Sequence, residues 1–170
     1  MDNPRGTAAK VALGIAFSGV LFVGCLKPEK FPDEPQITFK SFEQFGDSAS
    51  LIIAFTDGDG DVGLDASDNT PPFDTGTYYF NLFVDYSELR HGVWTPVEFD
   101  LPLYYRIPRI TPTGQNKALE GEIAVAIEPW PIIGVPPAYP WDTVRFSIHM
   151  VDRALNGSNI VQSDAIKVTN

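Results

Sequence analysis

Apolar and polar residues alternate with a period of two along several stretches of this 170-residue chain. In Thr143 to Val151, Val144, Phe146, Ile148 and Met150 fall on one face, and Arg145, Ser147 and His149 on the other. Leu119 to Glu128 puts Leu119, Ile123, Val125 and Ile127 on one face and Glu120, Glu122 and Glu128 on the opposite one. In Thr77 to Tyr86, Tyr78, Phe80, Leu82, Val84 and Tyr86 share a face, opposite Thr77, Asn81 and Asp85, with Tyr79 and Phe83. Shorter runs occupy Gln36 to Phe42, Ser50 to Thr56, Val97 to Arg106 and Ile160 to Val168. Only an extended strand sends successive side chains to opposite faces. The connections are rich in Gly, Pro, Asn and Asp, and no amphipathic helix pattern follows the first 25 residues. A strand buried on one side needs a second sheet to cover it. The expectation is therefore an all-β chain of about seven strands in one sandwich, with a small barrel as the alternative.

Charge and cysteine content narrow the setting. The net charge is −10, which argues against nucleic acid, because a phosphate backbone attracts clustered Lys and Arg. A single cysteine, Cys25, rules out an intramolecular disulfide. Stability must come from packing, or from a metal.

Cys25 closes an apolar run, Val11 to Val23 followed by Gly24, behind a start carrying Arg5 and Lys10. A basic start, a short apolar centre and a small residue before the cut make a signal peptide. The run is about thirteen residues, short of the roughly twenty that span a bilayer. Phe22-Val23-Gly24-Cys25 resembles the lipobox of bacterial lipoproteins, with Phe22 where leucine is usual. That resemblance implies cleavage before Cys25 and acylation of its thiol by chains such as palmitate. It implies a lipid anchor in the outer membrane, on the periplasmic or the cell-surface side. Losing residues 1 to 24 removes Asp2, Arg5 and Lys10 and leaves −11 on the remainder. Residues 25 to 35 then form a tether whose prolines and charges favour an extended spacer. Residues 36 to 170 form the folded domain. Its strand number resembles an immunoglobulin-like or fibronectin-type sandwich, and Val151 to Asn159 looks like the final hairpin of such domains. The lipobox, the sandwich pattern and the acidic loop described next together resemble small lipoproteins of Bacteroidota.

Asp57-Gly-Asp-Gly-Asp-Val-Gly-Leu-Asp-Ala-Ser-Asp68 carries five carboxylates in twelve residues. Calcium takes six to eight oxygens, and glycines let alternate carboxylates curl around it. With Asp57 at position one, Asp59 and Asp61 fall at three and five. Gly63 offers a carbonyl at seven, Asp65 stands at nine and Asp68 at twelve. The spacing resembles the calcium loops of EF-hands, dockerins and thrombospondin type 3 repeats. Val62 replaces the usual glycine at six, and Asp68 is shorter than the usual glutamate. The expectation is a structural calcium site of Asp57, Asp59, Asp61, Gly63, Asp65 and Asp68. A solvated acidic loop is the alternative. Magnesium fits less well, and zinc prefers His or Cys.

Pro129 to Trp141 is a long apolar loop with five prolines and two tryptophans. One reading is a lid over one end of the sandwich. The other is a contact surface of Trp130, Ile132, Ile133, Tyr139 and Trp141 for an envelope protein or a glycan. Arg106 to Lys117 is a basic loop that either faces an acidic partner or connects strands. His91, in a turn over Arg90 to Trp94, and His149, on an outward strand face, match no nucleophile-base motif. The functional expectation is a non-enzymatic interaction module of the envelope, an accessory subunit of a membrane or surface assembly. A carbohydrate-binding or adhesion module is the alternative.

Overall fold

A computed structural model of the chain describes residues 30–112, 115–134 and 138–169. The expected signal peptide, Cys25 and most of the expected tether lie outside the described residues. The described chain is a β-sandwich of nine strands: β1 (Gln36–Phe45), β2 (Ser48–Asp57), β3 (Leu82–Arg90), β4 (Val93–Val97), β5 (Leu103–Tyr105), β6 (Leu119–Ile127), β7 (Thr143–Met150), β8 (Val161–Gln162) and β9 (Ile166–Lys167). One sheet has the antiparallel order β1-β2-β6. In the other, β3 and β7 form the centre, β4 and β5 share the outer edge of β3, and β8 and β9 share the outer edge of β7.

The alternation decides which residues meet. Along β2, Ala49, Leu51, Ile53 and Phe55 point inward, and along β6 so do Ile123, Val125 and Ile127. The register sets Leu51 opposite Val125 and Ile53 opposite Ile123. From the facing sheet come Leu82, Val84 and Tyr86 of β3, paired with Met150, Ile148 and Phe146 of β7. Val144, Phe146, Ile148 and Met150 are fully buried. A residue of this size contributes about 1.5–3 kcal/mol when removed from water, so these inner faces hold the sheets together. β1 shifts register between Phe39 and Ser41. The extra residue moves its inward positions from Ile37 and Phe39 to Phe42 and Gln44, and so brings Phe42 against Trp130 and Phe146.

Three segments depart from the expected strands. Thr77–Tyr79 is a short 3-10 turn, and the strand starts only at Leu82. Asn81 is buried and exchanges hydrogen bonds with the backbone of Ile107, which pins the chain just before β3. The expected strand from Val97 to Arg106 is divided between the end of β4 and the short β5. The last expected strand splits into β8 and β9 around Ser163. The Ser163 hydroxyl accepts a bond from the Phe146 N–H at 3.0 Å, and the Ser163 N–H donates to the Phe146 carbonyl at 2.9 Å. The expected turn between Arg90 and Trp94 is present as a two-residue hairpin, with His91 at φ 50° and Gly92 at φ 80°, as this tight connection requires.

Candidate metal centre

β2 continues its inward alternation one step past Phe55, and that step is Asp57. A carboxylate therefore stands where the pattern demands an apolar side chain, and Asp57 is completely buried. Its Oδ1 accepts bonds from the N–H of Gly60 at 2.6 Å and of Asp61 at 3.2 Å. These bonds wrap the chain around it and require the left-handed Gly60, at φ 75°. The wrap brings one oxygen each of Asp57, Asp59 and Asp61 within 4.8 Å of one another. Asp57 Oδ2, Asp59 Oδ1 and Asp61 Oδ1 are buried and have no hydrogen-bond partner. An unpartnered buried acceptor costs roughly 1–3 kcal/mol, and more when charged.

The electrostatics reflect that cost. Burial, with the Asp59 and Asp61 charges added, pushes the Asp57 carboxyl up to about 6 against the pull of its two backbone bonds. Burial and the charges of Asp152 and Asp59 push Asp61 up to about 6 as well. A calcium–oxygen distance of about 2.4 Å places oxygens on opposite sides of the ion about 5 Å apart. Three oxygens within 4.8 Å of one another are close enough to share such a cation. Beside them opens a cavity of about 440 Å³, lined by Asp59, Asp61, Arg109, Lys117 and Arg153.

The other three expected ligands are drawn elsewhere. After Asp61 the chain does not curl back but runs beside residues 107–110. The Leu64 N–H donates to the Ile107 carbonyl and the Ile110 N–H to the Val62 carbonyl. Val62 and Leu64 are core residues, so burial of the two apolar residues straightens the path. Gly63 is left-handed at φ 86°, and a Cβ there would clash with the Pro108 carbonyl oxygen. Its own carbonyl accepts from Arg153 Nη1 at 3.0 Å. Asp65 pairs with Arg109 at 3.0 Å, and Asp68 Oδ2 accepts the Asp65 N–H at 2.7 Å. A twelve-residue loop closing on one ion is therefore not what the chain forms; its first five residues alone converge.

The basic loop supplies what holds the rest. Arg106 donates to the carbonyls of Asp65, Asp68 and Tyr79 at 2.9, 2.7 and 2.8 Å. Arg109 of the same loop pairs with the Asp65 carboxylate.

The proline-rich loop does not present its tryptophans as a surface. Trp130 is 2% exposed, 4.7 Å from the Phe42 ring, and its Nε1 donates to Gln44 Oε1 at 2.8 Å. It is a core residue. Ile132 is half-buried against the core. Tyr139 donates its hydroxyl to the buried Glu88, which Arg90 also binds. Trp141 is half-buried, with His91 edge-on at 4.8 Å. Of the five expected contact residues Ile133 is the exposed one. His149 stacks on Phe83 at 4.7 Å. Together with Tyr78, Phe80 and Tyr104 these two line an aromatic cavity of about 580 Å³ on the outer face of the β3–β7 sheet. Period two placed Phe83 and His149 on that face, but gave no sign that Tyr78 and Phe80 would fold over it.

No protein-family model matches the chain, and no curated protein or solved structure matches it.

Proposed function

We propose that this protein is a lipid-anchored envelope module that works by contact rather than catalysis, and that calcium at Asp57, Asp59 and Asp61 stiffens its sandwich. The observation that carries the calcium reading is the buried, unpartnered oxygen of Asp57, a residue clustered with two further carboxylates. Three carboxylates held at calcium spacing suit a hard cation with oxygen ligands. The reading of contact is supported by the placement of the histidines, each packed on an aromatic ring. It is also supported by the Glu88–Arg90–Tyr139 group, whose members bind one another. The anchor rests on the lipobox-like ending at Cys25 and the tether after it, and the partner class on the envelope setting that these imply.

Two experiments test this reading. A thermal melt of the full-length protein in detergent is expected to shift upward when EDTA is replaced by excess calcium. At 100-fold excess over the dissociation constant the gain is about 2.7 kcal/mol, or roughly 5–10 °C for a domain of this size. Identical melts under both conditions would remove the calcium. For the anchor, Cys25→Ser is expected to move the protein from the membrane fraction to the soluble fraction, or to leave it uncleaved. Unchanged, processed membrane association of that variant would remove the lipid.

A further inference from the structure

We propose that the cation site is a clamp between two distant segments: Asp152 supplies its fourth carboxylate, and calcium there ties the turn at Asp152–Asn156 to the acidic loop. The proposal rests on the calcium reading above and adds a ligand and a consequence to it.

The argument starts from parity. β7 carries Val144, Phe146, Ile148 and Met150 inward, and the next inward step is Asp152, which is 2% exposed. Asp57 stands in the same relation to β2. The two strands belong to opposite sheets, so each sheet ends its inward face with a buried carboxylate, and the residues that follow the two carboxylates bond to each other. Asp152 lies outside the group of three oxygens that already stand within 4.8 Å of one another, and the ion would draw it in.

The segments already touch through backbone and side-chain bonds. The Ala154 N–H donates to Asp61 Oδ2 at 3.0 Å across 93 residues of sequence. The Arg153 N–H donates to the Asp61 carbonyl at 3.3 Å. Arg153 Nη1 reaches the Gly63 carbonyl. Asp152 itself accepts from the Asn156 N–H at 2.7 Å and from Asn156 Nδ2 at 2.9 Å, one bond to each oxygen. A carboxylate has about four lone-pair directions, so Asp152 keeps acceptor capacity for an ion. The turn also holds Leu155 at φ 68°. For a residue without a short polar side chain that conformation is strained and must be held from outside.

In the absence of a cation, four carboxylates oppose the closure of these two segments, while Arg153 and a few hydrogen bonds favour it. A divalent ion reverses the sign of that interaction. Order in the Asp152–Asn156 turn then depends on calcium, and the last strands are fixed to β2 through it. A site that took its further ligands from the acidic loop would instead draw on Asp65, which pairs with Arg109, and Asp68, which accepts the Asp65 N–H.

The test is a calorimetric titration of calcium into the full-length protein in detergent. Asp152→Asn is expected to weaken binding about tenfold or more, the scale on which loss of a supporting ligand acts. Asp65→Asn and Asp68→Asn are expected to stay within about twofold of the wild type. Wild-type binding that survives Asp152→Asn within that same margin overturns the clamp and leaves the three-carboxylate site standing. No binding by the wild type overturns both. Hydrogen exchange on the wild type gives a check that needs no variant: calcium is expected to slow exchange of the Ala154 and Asn156 amides. Rates that ignore calcium there overturn the clamp, whatever becomes of Asp152→Asn.

Discussion

Asp57→Asn is expected to stabilise the calcium-free protein at pH 7 and to abolish the stabilisation that calcium confers. Asparagine keeps the Oδ1 that accepts from Gly60 and Asp61. It replaces the unpartnered Oδ2 by an amide that donates toward Asp59 and Asp61. The pH dependence follows from the direction of the shift. The carboxyl rises from 3.8 to about 6 on folding, so the folded state holds the proton more tightly than the unfolded state does. Well below pH 4 both states are protonated and the site costs nothing, and at pH 4 the cost is small. As the pH rises to about 6 the folded protein loses stability, and above that the full cost is present. A shift of about two units corresponds to about 3 kcal/mol. The calcium-free gain of the variant is therefore about 1–3 kcal/mol at pH 7 and small at pH 4. Saturating calcium inverts the order, because only the wild type offers the ion its innermost ligand. Paired melts in EDTA and in calcium at the two pH values check this. A wild type more stable than the variant in EDTA at pH 7 would mean that Asp57 is satisfied as it stands, and the cation reading would fall.

Trp130→Ala is expected to cost about 3–5 kcal/mol of folding stability, the range for deleting a large aromatic from a core. Its ring packs against Phe42 and Phe146, with centroids at 4.7 and 6.3 Å. Its loss also removes a donor from Gln44 Oε1, which the end of the chain shares through the Thr169 N–H at 3.2 Å. The damage thus extends from the loop to the C-terminal segment. Trp141→Ala, half-buried and resting on His91, is expected to cost under about 1.5 kcal/mol. Urea denaturation of the two variants reads the difference directly. Near-equal stabilities would put both tryptophans back on the surface and revive the loop as a contact patch.

These two residues also show how far the sequence carries. Period two located β2, β6 and β7, and for β6 and β7 their inward residues, because each has one wet and one buried face and nothing else produces that spacing. The same rule misplaced Tyr78 and Phe80. Aromatic residues suit a strand, but they equally suit folding over an outer sheet face, and the anchor that decides it, Asn81 on Ile107, is a long-range contact. Likewise, apolar content could not tell a core tryptophan from an exposed one. Trp130 is held by Phe42 and Gln44, inward only because β1 shifts register near Lys40, and no local pattern announces that shift.

The acidic loop divides the same way. The carboxylate spacing singled out the segment, and of its six expected ligands Asp57, Asp59 and Asp61 converge. The path beyond Asp61 was set by the burial of Val62 and Leu64, which competes with curling around an ion and wins. One signal went unread. Extending the inward parity of β2 and β7 by a single step gives Asp57 and Asp152, each a carboxylate at a position reserved for apolar side chains.

The most direct measurement is a crystal structure grown in calcium, with anomalous scattering used to locate the ion. The account predicts one ion within about 2.3–2.6 Å of Asp57 Oδ2 and of oxygens from Asp59 and Asp61. An ion bound instead among Asp65 and Asp68, or no ion at Asp57 in saturating calcium, would contradict it.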